Sequence, residues 1–185
     1  LVGSEMCIRD SKTKIYAFDH NYNYDNMLEQ QGYPMKIYED ENAASFLTGA
    51  AYHNYGGDRE ELNNVNGKFP DKELIFTETS IGMWNDGRNL EKRLMEDMEE
   101  TALGTVNNWC KAVIVWNLML DNERGPNREG GCQTCYGAVD IDRSDYKTIT
   151  RNSHYYIIGH LSSVVKPGAV RTVSYTHLTL PTNSL

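Results

Sequence analysis

Glu73-Leu-Ile-Phe-Thr-Glu-Thr-Ser80 decides the fold: a short run rich in β-branched and aromatic residues, cut off by polar ones, reads as a buried strand. Working outward, three runs of the same character lie at wide spacing, Lys14-Ile-Tyr-Ala-Phe18, Phe46-Leu-Thr-Gly-Ala-Ala-Tyr52 and Ala112-Val-Ile-Val-Trp-Asn-Leu118. The gaps between them are long enough for helices. The clearest is predicted from Asn89 to Trp109, where Leu90, Leu94, Met98, Ala102 and Val106 recur every fourth residue as one apolar stripe. Glu91, Lys92, Glu96, Glu99 and Glu100 form its solvated face. Shorter helices are predicted from Tyr38 to Ser45, with Asp40 and Glu41 near its start, and from Asp58 to Val65, with Asp58 as a cap. Strands alternating with helices at about 30 residues per unit indicate βαβ repeats and a parallel sheet, so the class is α/β.

Each run gives way to polar and aromatic residues: Asp19-His20-Asn21, His53-Asn54-Tyr55, Glu78-Thr79-Ser80, and Trp116-Asn117 with Asp121. A (β/α)8 barrel builds its active site from the C-terminal ends of its strands, which suits this pattern. An open doubly wound sheet also binds ligand beyond its strand ends, usually with a glycine-rich phosphate turn. Neither GxGxxG nor GxxxxGK[ST] occurs in the sequence, so the barrel leads.

Glu78 is the candidate catalytic residue, because it ends a buried strand in a carboxylate. There it can serve as nucleophile, general base or stabiliser of an oxocarbenium-like centre, or cap and pair locally in the adjoining loop. His53 and Tyr55 alternate across one residue, so an extended strand points both to one side, within reach of Glu78 or a sugar hydroxyl. Taken singly, each reads more readily as a core residue, a satisfied His or a packed Tyr. Trp116 is a candidate floor for a sugar ring with Asn117 beside it, and Trp84 a candidate subsite wall in the loop after Glu78. Asp19 and His20 are a second polar pair at a strand end, where an inter-loop hydrogen bond explains them as well as a ligand does.

The 185 residues carry a net charge of −8 without a Lys/Arg cluster, which argues against a nucleic-acid partner. No run approaches the roughly 18 apolar residues of a membrane span, and mean hydropathy is −0.60. Twelve Tyr, three Trp and four Phe in an acidic chain lean towards carbohydrate, or else towards an aromatic core. The ends, 1–11 and 173–185, do not continue the neighbouring patterns and resemble translated sequencing-adapter read-through. They are set aside, leaving 12–172 as the domain. Of the four cysteines, Cys7 lies in a discarded end. Cys132 and Cys135 have the spacing of a small disulfide, half a zinc site or a redox pair. No second ligand pair completes a zinc site, which leaves a disulfide or two reduced thiols, the former favouring an exported, oxidising setting.

The segments Asp19-His20-Asn21, Gly49-Ala-Ala-Tyr-His-Asn-Tyr55-Gly-Gly57, Phe76-Thr-Glu-Thr-Ser80, Val115-Trp-Asn-Leu-Met-Leu-Asp121 and Tyr155-Tyr-Ile-Ile-Gly-His-Leu-Ser162 share order and spacing with a known family. From about Lys14 to Arg171 the chain resembles the C-terminal half of the catalytic barrel of glycoside hydrolase family 30, which includes glucosylceramidases and β-1,6-glucanases. The resemblance implies barrel strands five to eight, ending before the accessory β-sandwich. It implies Glu78 as nucleophile of a retaining enzyme, supported by His53 and Tyr55, with Trp116 under the sugar and no metal or organic cofactor. The family's acid/base Glu, in an Asn-Glu-Pro context after strand four, has no counterpart here, since Asn122-Glu123 is followed by Arg124. The expected parent is therefore a secreted or periplasmic bacterial hydrolase of β-1,6-glucan or a related β-glucoside. This chain alone is expected to be inactive. Alternatives are glucosylceramidase, β-glucosidase or xylan-type specificity within the family, a non-catalytic carbohydrate-binding fragment, or a metal-dependent hydrolase using His53, His20 and Asp19.

Overall fold

In the computed structural model, which describes residues 12–22 and 32–172, all four predicted runs contribute to one parallel sheet. Its strands are β1 (Tyr16–Asn21), β2 (Gly49–His53), β3 (Glu73–Glu78) and β5 (Cys110–Val113), adjacent in chain order. A short strand β4 (Ile81–Gly82) lies outside this sheet. Because the order never reverses, right-handed crossovers place successive helices on one face, as a barrel wall requires and a doubly wound sheet does not. Those helices are α1 (Tyr33–Tyr38), α2 (Glu41–Ala44), α3 (Glu60–Lys68), α4 (Leu90–Asp97) and α5 (Gly104–Asn107). The ends set aside above, 1–11 and 173–185, lie outside the described residues.

Alternation along the strands sets the core. Leu74 and Phe76 of β3 join Ala50 and Tyr52 of β2 in a buried cluster with Leu62 and Val65 of α3, while Ile75 and Thr77 face the other way and stay partly exposed. Gly49 is needed at the start of β2, since a Cβ there would stand 1.8 Å from the Glu73 carbonyl oxygen. The predicted helix over 38–45 divides into α1 and α2, with the Asp40 carboxylate capping α2 through the amides of Asn42 and Ala43. Asp58 accepts the Glu60 amide at the start of α3.

The long helix is present as α4, a π-helical segment Met98–Leu103 and α5. Its buried stripe differs from the predicted apolar one. Ala102 is fully buried, but Leu90 is exposed, and the positions that turn inward are Arg93, Asp97, Thr101 and Thr105. These are also four residues apart, one step round the helix. Asp97 pairs with Arg93 and accepts a hydrogen bond from Ser153, while Arg93 reaches Glu96 at 2.9 Å. Ser153 opens α6 (Ser153–Val164), so the polar stripe joins two helices. In the intact protein, Asp97→Ala leaves a buried guanidinium with one partner fewer and an unpaired Ser153. The expected loss is about 3–5 kcal/mol, measured by denaturant unfolding. A loss under about 0.5 kcal/mol, the range of an ordinary surface change, would contradict this role for the pair.

The fourth predicted run is also shorter as a strand than expected. Three residues of β3, Leu74 to Phe76, oppose four of β5, Cys110 to Val113, and regular pairing ends at Val113. The backbone continues alongside β3 through Ile114 N–H to the Phe76 carbonyl and Trp116 N–H to the Thr79 carbonyl, both at 2.8 Å. Beyond it lie β6 (Met119–Asp121), β7 (Cys135–Tyr136), β8 (Val139–Ile141) and β9 (Ile149–Arg151). Strands β6, β8 and β9 form a small sheet, and β7 pairs antiparallel with β4. Cys132 and Cys135 are joined in a disulfide, with sulfurs 2.08 Å apart. Among the described residues no helix is long and apolar enough to cross a membrane.

Candidate active site

Parallel register puts the polar residues of the strand ends side by side. His53 ends β2 opposite Glu78, which ends β3, and Asn21 ends β1 opposite His53. Asp19 and His20 lie within β1 rather than after it, because the strand runs past Phe18 to Asn21. The strand bulges there, and Phe18 and Asp19 both take left-handed backbone angles, φ 80° and 52°. Non-glycine residues adopt this conformation at a cost and concentrate it at functional sites. The bulge turns Asp19 towards its neighbours. One carboxylate oxygen accepts the Thr77 hydroxyl at 2.7 Å and meets His53 Nε2 at 3.0 Å. The Thr77 hydrogen bond, with His53 assisting, holds the Asp19 carboxyl below its usual pKa.

His53, expected beside Glu78, thus engages Asp19 through its Nε2, while the His20 ring lies 6.2 Å from the His53 ring, edge to face. Tyr55 lies outside β2, since the extended backbone stops at His53, and its position comes from the loop. Its amide donates to the Asn21 side chain at 3.1 Å and its hydroxyl to Ser80 Oγ at 2.9 Å. The same hydroxyl lies within hydrogen-bonding reach of the Glu78 carboxylate. Burial pushes this phenol up to about 12; the Glu78 charge adds to the rise and the Ser80 hydrogen bond opposes it. Tyr55 therefore stays protonated near neutral pH, with its one proton on Ser80 Oγ and its hydroxyl near the Glu78 carboxylate. Asn21, Thr77 and Ser80 do the holding, and their polar character at strand ends was the only sequence signal for them.

Trp116 reaches the site through its pairing with Thr79 and Ser80, the two residues after Glu78. Its ring is 42% exposed, the Trp116–Asn117 peptide is cis, and the Asn117 side-chain oxygen is buried without a hydrogen-bond partner. Both residues line a cavity of about 800 Å³ with the loop before Cys135. Trp84 sits in a 3-10 turn, Met83–Asn85, with its ring over Gly82, where a Cβ would come within 2.0 Å of the indole. It faces a separate polar cavity of about 560 Å³, shared with Tyr55, Ser80, Arg93 and Glu96. Glu78, Tyr55, His53, Asp19 and Trp116 thus lie at one end of the sheet, and Trp84 shares a cavity with Tyr55. Among the described residues no three His, Cys, Asp or Glu side chains converge as metal ligands. Glu123 is engaged in an ion pair with Arg143.

Residues 13–165 match the model of the Glycosyl hydrolase family 30 TIM-barrel domain. The chain is 30% identical over 174 residues to the endo-1,6-beta-D-glucanase BGN16.3 of Trichoderma harzianum, covering 89% of this chain and 31% of that protein. It is 30% identical over 140 residues to the putative glucosylceramidase 2 of Caenorhabditis elegans, covering 73% of this chain and 26% of that protein. Among solved structures, the endo-beta1,6-glucanase BT3312 superposes with a TM-score of 0.89 at 72% identity, covering 95% of this chain and 39% of that one. SrfJ from Salmonella typhimurium superposes at 0.74 with 26% identity, covering 89% and 36%. The chain spans between about a quarter and a third of the length of the curated relatives it matches.

Proposed function

The chain belongs to glycosyl hydrolase family 30, and from that premise we propose that it is the C-terminal half of the catalytic barrel of a retaining β-1,6-glucanase with Glu78 as nucleophile. The observation that carries the reading is the Glu78 carboxylate at a strand end with the Tyr55 phenol against it. Such a carboxylate attacks the anomeric carbon, and a second one, from strands outside this chain, protonates the leaving oxygen and then activates water. In a retaining enzyme the two stand about 5–5.5 Å apart. Turned from Ser80, the single proton of the Tyr55 hydroxyl steadies the Glu78 charge before attack. Asp19 holds His53 in place at the neighbouring strand end. No step calls for a metal or organic cofactor.

β-1,6-Glucan is favoured over glucosylceramide because identity is 72% with an endo-beta1,6-glucanase structure against 30% with a putative glucosylceramidase. The Cys132–Cys135 bridge supports a secreted or periplasmic setting in a bacterial parent, since disulfides persist in oxidising compartments. Residues 1–11 and 173–185 are read as foreign to the domain. The test is covalent trapping: the full-length protein carrying this sequence, treated with an activated 2-fluoroglucoside, should gain one sugar on the peptide that contains Glu78. Labelling of any other carboxylate, or none in protein that hydrolyses β-1,6-glucan, would remove Glu78 from the role. A non-catalytic carbohydrate-binding fragment would bind glycan without labelling.

A further inference from the structure

We propose that Asp140 is a positioning residue of the active site: its buried carboxylate, latched by Arg88, fixes the Gly137–Ala138 turn, and that turn holds Trp116 and Asn117 against the strand exit of Glu78. The proposal rests on the glycosidase reading above, with Trp116 as the floor under the sugar. Asp140 lies in the middle of β8, 2% exposed, and its carboxylate is the meeting point of several donors. Oδ1 accepts the Gly137 amide at 3.0 Å. Oδ2 accepts the Asn152 side-chain amide at 2.8 Å, Arg88 Nη2 at 3.0 Å and Arg88 Nε at 3.3 Å. Arg88 comes after the Met83–Asn85 turn, Gly137 after β7 and Asn152 before α6, so one carboxylate joins three separate segments of the chain.

What these segments grip is the backbone of the sugar floor. The Ala138 amide donates to the Asn117 carbonyl at 2.8 Å, and the Val139 amide to the Leu118 carbonyl at 3.1 Å. The turn is held from behind as well: the Ala138 carbonyl accepts the Asn152 backbone amide at 2.9 Å, and the Gly137 carbonyl accepts the Asn152 side chain at 2.9 Å. It is also closely packed, since a Cβ on Gly137 would stand 2.5 Å from the Val139 carbonyl oxygen and 2.6 Å from the Leu120 nitrogen. On the other side, Trp116 donates its amide to the carbonyl of Thr79, the residue after Glu78. Arg88 has a second contact, its guanidinium lying 4.2 Å from the centre of the Tyr136 ring, and Tyr136 pairs with Ile81 on the same exit from Glu78. Burying a carboxylate with a guanidinium adds little net stability over apolar packing. What it adds here is direction, and at a reacting sugar a displacement of about 1 Å can cost about 100-fold in rate.

The experiment measures, in the folded full-length protein, the second-order rate constant and the final extent of Glu78 labelling by an activated 2-fluoroglucoside. The variants are Asp140→Asn and Arg88→Gln, each alone and combined with Trp116→Ala. The rate constant should fall by about tenfold or more in Asp140→Asn and about threefold in Arg88→Gln, with the final labelling equal to the parent's. In the Trp116→Ala background the same substitutions should change it by less than about twofold, because the indole they place is gone. Should Asp140→Asn fail to fold, Arg88→Gln, whose side chain is partly exposed, decides by the same comparison. An unchanged rate constant overturns the proposal. So does lower final labelling at the parent's rate constant, which is what a purely stabilising role produces. A fall as large with Trp116→Ala as without it overturns it too, since Asp140 would then act by another route. A parent that neither hydrolyses β-1,6-glucan nor labels at Glu78 overturns the glycosidase reading itself, a result read before any variant is compared.

Discussion

Glu78→Gln in the full-length protein is expected to abolish turnover of β-1,6-glucan, by about 10⁴-fold or more in kcat, while leaving glycan binding within a few-fold of the parent. The amide keeps the volume of the carboxylate and one of its oxygens, so the strand end and the Tyr55–Ser80 hydrogen bond beside it survive. What it lacks is the charge that attacks the anomeric carbon. In the proposed site, binding would be drawn from Trp116 and Asn117, neither of which is replaced by the substitution. The two readouts are initial rates on the glucan and a calorimetric titration with a β-1,6-linked oligosaccharide. Near-normal turnover would end the assignment of Glu78. Lost binding with lost turnover would make the residue a ligand rather than a nucleophile.

The second large effect concerns this chain expressed by itself. Among the described residues, β1 and β5 form the two outer edges of a four-stranded parallel sheet, and the edge of β5 carries no charged cover beyond Lys111. Past that edge Ile114 and Leu118 are exposed, and with Val113, Val115 and Ile158 they line an apolar groove of about 610 Å³ against α6. Parallel sheets are stable only when covered on both faces, and open apolar edges recruit other chains. The isolated chain should therefore be insoluble or molten, with dye-binding apolar surface, no near-ultraviolet dichroism and no glycosidase activity. A soluble monomer that unfolds cooperatively and turns over a β-glucan would refute this, and with it the assignment of the chain as half a barrel.

Local chemistry was legible in the sequence, and contacts across the chain were not. The strand runs declared themselves because a buried strand needs only its own apolar residues and a polar stop, and Glu78 stood out as a carboxylate at such a stop. The inward face of the long helix was misread because hydrophobic periodicity counts apolar residues alone. Arg93 and Asp97 turn inward against each other, and the Asp97 carboxylate finds its further donor in Ser153, 56 residues on. The bond between Asp19 and Thr77 spans 58 residues and depends on a bulge at Phe18 and Asp19 that no glycine announces. For His53, expected within reach of Glu78 or a sugar hydroxyl, spacing gave its side of the sheet but did not point to Asp19 as its partner. The small sheet of β6, β8 and β9 escaped notice because three-residue strands are too short for alternation to show.

The polar stripe that docks α4 onto α6 also bears on how this sequence can vary over time. Loss of Asp97 leaves the buried guanidinium with Glu96 alone, loss of Arg93 leaves the buried carboxylate without its counter-charge, and loss of Ser153 removes the hydroxyl that anchors that carboxylate to the second helix. Each single change is costly, whereas joint replacement by apolar residues of matching volume can be close to neutral. These three positions therefore behave as one heritable unit: lineages cross between the ionic and the apolar solution together or not at all, and drift at one site alone is closed.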